Sequence, residues 1–200
     1  MSPLETLGFA LGTSFASGLN LYATVAAAGI FQRLGLVHLP DSLQVLSHPV
    51  VLGVAVTLFI VEFIADKIPY VDSAWDALHT FIRPPAAAVM AYGAFGSVPE
   101  EYKLGAALLA GGVALTSHGA KATTRAAANT SPEPVSNWVL SLVEDGLSVF
   151  LVWMAAEHPL WTAVIVLVLV VVAVLLIRKL WRFARQMVER LRRPQPSSPA

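Results

Sequence analysis

Two carboxylates one helical turn apart, Glu62 and Asp66, close an otherwise apolar run that begins near Val50 and ends at Lys67-Ile68-Pro69. If that run crosses a membrane, its acids stand where charge is costly. Acids persist in hydrocarbon when they face a bundle interior, a partner or a water-filled cavity, and there they mark proton- or ion-handling sites. A second acidic pair, Glu144-Asp145, sits in a later apolar segment, where Asn137, Ser141, Glu144 and Ser148 recur at i, i+4, i+7 and i+11. Basic groups that would balance them, His118, Lys121 and Arg125, fall at i, i+3 and i+7, one face of a helix. Asn20 belongs to a fourth stripe, with Thr13, Ser17 and Thr24. An isolated buried charge is strongly destabilising even after relaxation, so the acidic and basic faces are expected to meet.

Structural alternatives exist for each group. Glu62 and Asp66 could form a helix-end ion pair with Lys67 or Arg125. Lys121 and Arg125 could snorkel towards headgroups. His118 could be a satisfied interior histidine, and the Thr13–Thr24 stripe could be interhelical glue. Asp72 and Asp76 read as helix caps, Ser73 and Asp76 forming a capping box. His79 and Arg83 continue the face that Asp72 and Asp76 begin. Glu62, Asp66 and Glu144 offer hard oxygen ligands to a divalent cation, but the neighbouring cations argue against permanent occupancy, which leaves a metal undetermined. Ser117 and Lys121 at i, i+4 are too common a spacing to indicate a hydrolase. No nucleotide fingerprint is present, and neither an enzyme activity, a cofactor nor a nucleic-acid partner is expected.

The elements that must position these groups are helices in a lipid bilayer. Of 200 residues, 56% are hydrophobic and only 13% charged, outside the soluble globular range. Trp161 to Ile177 contains no ionisable residue and ends at Arg178-Lys179, the signature of a spanning helix. With no cysteine there is no disulfide, thiolate site or Cys nucleophile. No basic n-region precedes the first apolar run, so a cleaved signal peptide is not expected.

The hydropathy pattern predicts an all-α polytopic bundle of about six spans. Helix one covers residues 7–31, with Gly8 and Gly12 as a small-xxx-small pair. An interfacial loop follows over 34–48, then helix two over 49–67. Helix three is an interfacial piece from Asp72, broken at Pro84-Pro85, and a span over 86–95. Ser97 to Lys103 is a polar turn, helix four covers 104–128, and Thr130-Ser131-Pro132-Glu133-Pro134 is a loop. Helix five covers 135–156, and helix six runs on into a basic amphipathic tail over 178–200. That tail holds seven of the thirteen Lys and Arg residues. The positive-inside rule therefore puts both termini in the cytoplasm of a bacterial inner-membrane protein, with Lys67, Arg83, Lys121 and Arg125 near the cytoplasmic connections.

The stripes also suggest a repeat within the single domain of residues 1–177. Sliding helix four onto helix one, Gly119 on Gly18, lays Lys121 on Asn20 and Arg125 on Thr24, and sliding helix five onto helix two lays Glu144 on Glu62. Halves over about 7–95 and 104–177, in opposite orientation, would form the 3+3 inverted-topology repeat of many secondary transporters. Helices one, two, four and five would make the polar core, with three and six outside.

The chain resembles a family of bacterial integral membrane proteins described as a domain of unknown function. The residues that carry the likeness are Ser17-Gly18-Leu19-Asn20, Val61-Glu62, Ala65 to Pro69, Asp72 to Asp76, His79-Thr80, Ile82-Arg83-Pro84, Ser117 to Lys121, Ser131 to Pro134 and Glu144-Asp145. The resemblance spans roughly Phe9 to Pro159 and implies no substrate. Glu62, Asp66 and Lys67 are also similar to the Glu-x-Gly-Asp-Lys motif of cation exchangers, with wider spacing and no glycine. The expectation is an ion- or proton-coupled carrier of a small ion or solute, in which Glu62, Asp66, Asn20, His118, Lys121, Arg125, Glu144 and Asp145 bind the ion or substrate. Six helices of this size enclose little volume, which points to a homodimer. The competing expectation is a membrane scaffold or assembly factor whose ionic core only fixes helix pairing.

Overall fold

The computed structural model describes residues 1–68, 70–96, 98–130 and 135–192, without the side chains of 187, 188 and 190–192. Pro69, Ser97, residues 131–134 of the expected loop and residues 193–200 of the expected tail lie outside the described residues. Among the described residues there are helices and no strands.

Eight α-helices follow one another: α1 Pro3–Leu19, α2 Leu21–Arg33, α3 Pro49–Ala65, α4 Val71–His79, α5 Arg83–Ala94, α6 Glu100–Ala128, α7 Val135–Glu157 and α8 Pro159–Arg192, with a 3-10 helix at Asp41–Ser47 before α3. Their starts follow from capping chemistry. Ser2 and Glu5 form a reciprocal capping box ahead of α1, with Pro3 in the first turn. Pro49 opens α3 behind His48, whose Nδ1 accepts the Val50 N–H. Glu100 and Glu101 occupy the first turn of α6, complementing its dipole. The Tyr92 hydroxyl and Lys103 both donate to Glu100 and hold its carboxyl below the usual range.

Three expectations need correction. Helix one is not continuous over 7–31: it breaks at Asn20, whose backbone is extended at φ −148°, ψ 105°. Helix three breaks over residues 80–82, before the prolines, which lie in the first turn of α5. The proposed Ser73–Asp76 capping box does not form, because α4 starts earlier, behind Tyr70 at φ 69°, and Asp72 caps Ser73 locally instead.

Helix α1 is the hub, packed against α5, α6, α7 and α8. Small residues permit this. A Cβ at Gly8 would strike the Pro159 carbonyl, one at Gly12 would meet Thr162 and Ala155, and one at Gly18 would strike Ser117 and the Ala114 carbonyl. The burial pattern is inverted relative to a water-soluble domain. Glu62, Asp66, Asp72, Asp76, Arg83, Lys121, Arg125, Asn137 and Ser141 are all buried, whereas Val54, Ile64, Val89, Leu108, Leu142, Val168, Val171 and Leu175 face outwards. An apolar layer around Phe9, Phe15, Leu151, Val152 and Val166 closes one end of the interior. By length and composition, α7 and residues 159–186 of α8 can cross a membrane, and the 3-10 helix with α3, bent by 65°, makes a third candidate. The basic segment after Ile177 continues α8 through Arg192 without a break.

Candidate functional site

The helix break is the first component of the site. At the end of α1 the carbonyls of Gly18 and Leu19 have no next turn to serve, so they accept from outside: Arg83 Nη1 donates to both, at 2.8 and 2.9 Å, and Lys121 Nζ donates to Leu19 at 3.1 Å. Asn20 closes the other side. Its Oδ1 accepts the Ala23 N–H to cap α2, and its Nδ2 donates to Asp145 Oδ1 at 2.8 Å. A discontinuous helix thus points carbonyls at two cations and an amide at a carboxylate.

Around the break, three buried cations are shared among four carboxylates. Arg83 Nη2 meets Glu62 Oε1 at 2.5 Å and lies 3.7 Å from Asp76. Lys121 Nζ reaches Asp66 at 2.9 Å, Glu62 at 3.2 Å, Glu144 at 3.6 Å and Asp76 at 3.8 Å. Arg125 Nη2 bridges Asp66 at 2.9 Å and Glu144 at 2.5 Å, and its Nη1 donates to the Asp66 carbonyl at 2.8 Å. All three cationic side chains are fully enclosed. Snorkelling is therefore overturned for Lys121 and Arg125, and Arg83, which opens α5 directly after the break at 80–82, turns its side chain into the cluster.

His118 orients the cluster. Its Nε2 lies 3.0 Å from the Asp76 carbonyl, so it carries the proton, and Nδ1 accepts from Arg83 at 3.0 Å. The Thr80 hydroxyl also meets Nε2, at 2.9 Å. His79 is held likewise: Nδ1 donates to the Trp75 carbonyl at 2.8 Å, which leaves Nε2 to accept from the Tyr22 hydroxyl at 3.1 Å. Asp72 is buried and accepts from Asn129 Nδ2 at 2.9 and 3.0 Å. Lys67, half-buried at the rim, donates to the Phe63 carbonyl at 2.9 Å and to Ser141 at 3.4 Å.

All eight residues expected at the site are buried in this region, and each but His118 pairs with another of the eight; His118 joins them through Arg83 and the Asp76 carbonyl. The stripe in the first helix behaves differently from Asn20: Thr13, Ser17 and Thr24 spend their hydroxyls on carbonyls one turn back in their own helix. Sequence reasoning missed Arg83 and Asp76 as members, and with them the entry of α4 into the core that was assigned to helices one, two, four and five. The signal was present, since Asp72, Asp76, His79 and Arg83 share one face; capping was simply the more common use of such aspartates. Among the described residues no three His, Asp or Glu side chains converge as the ligands of a metal would.

No curated protein and no solved structure matches the chain. Residues 7–179 match the model of a domain of unknown function, DUF4126, and the chain belongs to that family.

Proposed function

We propose that the protein is a small integral membrane carrier that couples movement of an ion or solute to proton or cation binding at its buried carboxylates. The observation that carries this reading is the break at Asn20, where unwound backbone carbonyls and a capping amide meet fully buried charges. Broken helices of this kind build the sites of secondary transporters, where irregular backbone is tolerated because it lines the site. The outward apolar face and the polar interior support a lipid surround.

In this reading α3, α4 with α5 as one interrupted crossing, α6, α7 and α8 make five crossings, and α1 with α2 forms a re-entrant hairpin with its tip at Asn20: Gln32, near the end of α2, accepts the Leu39 N–H, and Leu39 lines a cleft with Pro3 and Thr6 at the start of α1, so the expected six spans do not form. The inverted repeat is not supported: it would set α1 and α6 in opposite directions, yet the two run the same way, Ala10 packing with Ala106 and Ala110 and Gly18 against Ala114 and Ser117. Lys121 does lie between the two matched glutamates, 3.2 Å from Glu62 and 3.6 Å from Glu144. The halves are not equivalent, since α6 runs unbroken where α1 breaks. A cleft of about 730 Å³ lined by Thr6, His38, Asp41 and Glu157 lies near the start of α1, roughly 20 Å of helix from Asn20, with the apolar layer of Phe9 and Phe15 between the two. The reading places the chain in a bacterial inner membrane with the basic end of α8 cytoplasmic, acting on a small ion or solute, with a homodimer as its working assembly. The expectation that both termini share that side does not hold, because α1 starts beside Glu157 and Pro159, where α8 begins, at the end opposite the basic segment.

The scaffold reading is favoured by one observation. Arg125 is held by two carboxylates and a carbonyl, a degree of satisfaction that suits a permanent brace. The natural absence of cysteine makes the two readings separable. In Ser17→Cys and Ser141→Cys variants, a carrier exposes the thiol to membrane-impermeant reagents in a manner that changes with pH or ion gradient. Uniform protection from both faces in every condition would leave the scaffold.

A further inference from the structure

The charges in the interior do not balance. Glu62, Asp66, Asp72, Asp76, Glu144 and Asp145 are buried, against buried Arg83, Lys121 and Arg125 and half-buried Lys67. His118 and His79 add no charge in the tautomers their partners select. Two carboxylates thus lack a cation among the described residues, and an uncompensated anion in a low-dielectric interior is strongly disfavoured unless it takes up a proton.

The hydrogen bonds indicate where the proton goes. Glu62, Asp66 and Glu144 each accept from Lys121 or Arg125 or from Arg83 at 3.2 Å or less. Asp145 accepts from Asn20, and Asp72 from Asn129 and Ser73. Asp76 differs from all five. It is 2% exposed, and no donor reaches either of its carboxylate oxygens. The groups that face it are Arg83 from the start of α5 at 3.7 Å and Lys121 from α6 at 3.8 Å, both engaged by closer acids, with His118 bonded to its backbone carbonyl and Asp66 and Arg125 farther along the same cluster. Nearby, Glu62 Oε2 and Asp66 Oδ1 also lack donors.

We propose that Asp76 is the proton-binding group of this core, held as a neutral carboxylic acid while Arg83 and Lys121 serve Glu62 and Asp66. The step is a simple protonation: a proton from bulk water adds to the Asp76 carboxylate on loading and returns to water on release, and no other bond changes. Protonation supplies one O–H donor in a cluster that lacks them. Release leaves an anion that draws on Arg83 and Lys121 in competition with Glu62 and Asp66. Asp76 sits on α4, which is joined to the rest by Tyr70 at φ 69° and by the break at 80–82, so the change of charge acts on a short segment.

The assignment deepens the carrier reading, yet its test needs no flux. Infrared difference spectra of the full-length protein in lipid should show the carbonyl stretch of a protonated carboxyl at neutral pH. The band should shift in deuterated water, shift again when aspartate is carbon-13 labelled, and fade as pH rises. Since two carboxylates lack a cation, a second component can remain in Asp76→Asn; the component assigned to Asp76 should vanish there and persist in Asp145→Asn. Absence of the band at every pH, insensitivity to labelled aspartate, an unchanged band in Asp76→Asn or loss of the same component in Asp145→Asn would each overturn the proposal. The titration and labelling of the unaltered protein decide it even if Asp76→Asn does not fold. A protein with this band and no transport would sink the carrier reading and leave Asp76 as a proton site.

Discussion

Arg83 and Glu62, 21 residues apart in sequence, meet at 2.5 Å with neither side chain exposed. The same guanidinium holds the carbonyls that end α1 and the Nδ1 of His118, so one side chain joins α3, α5, α6 and the helix break.

Removing either partner strands the other. Arg83→Met should destabilise the protein by about 3–5 kcal/mol, as breaking a buried pair does, and Glu62→Gln should cost less because the amide still accepts. In the double variant the costs should fail to add by at least about 1 kcal/mol. Thermal or denaturant unfolding in a fixed detergent measures this cycle; strict additivity would mean that the two groups do not depend on each other.

Close approach at Gly18 gives a second expectation. Gly18→Ala places a Cβ against Ser117 and the Ala114 carbonyl, and the shift required should cost about 1–3 kcal/mol. Gly146→Ala in α7 and Gly53→Ala in α3 meet open space and should be neutral or stabilising by up to about 1 kcal/mol, the ordinary helical preference for alanine. Equal melting temperatures for all three would refute the packing of α1 on α6.

Asn20 does two jobs at the break, and variants separate them. Asn20→Ala loses the cap on α2 and the donor to Asp145, and should cost about 1–2 kcal/mol. Asn20→Asp retains a capping oxygen but sets a second carboxylate beside Asp145, so its penalty should shrink as pH falls and the acids protonate. A pH-independent penalty for Asn20→Asp would show that Asp145 is not its neighbour.

How much of this was legible follows from what each signal depends on. The stripes of Asn137, Ser141, Glu144 and Ser148 and of His118, Lys121 and Arg125 sit on long helices, α7 and α6, where the 3.6-residue period survives intact. Those positions were readable. The break at Asn20 was not, because Ser17, Asn20 and Thr24 keep helical spacing across it, and the interruption comes from tertiary partners, Asp145, Arg83 and Lys121, that periodicity does not contain. Arg83 was misread for a related reason. A residue before two prolines resembles a helix boundary near water, and only the packing of α4 and α5 on α1 and α6 turns it inwards.

The central claim is that the buried carboxylates carry an ion through the bilayer as well as hold helices together. Its most direct test is flux in sealed proteoliposomes containing the purified protein, with an internal pH indicator and imposed proton, sodium and potassium gradients. The account predicts a protein-dependent flux or pH response that falls at least tenfold in Glu62→Gln and in Glu144→Gln variants that remain folded, a rise of about 1.4 kcal/mol or more in the rate-limiting barrier. Identical traces for empty, wild-type and variant vesicles under every gradient would contradict it.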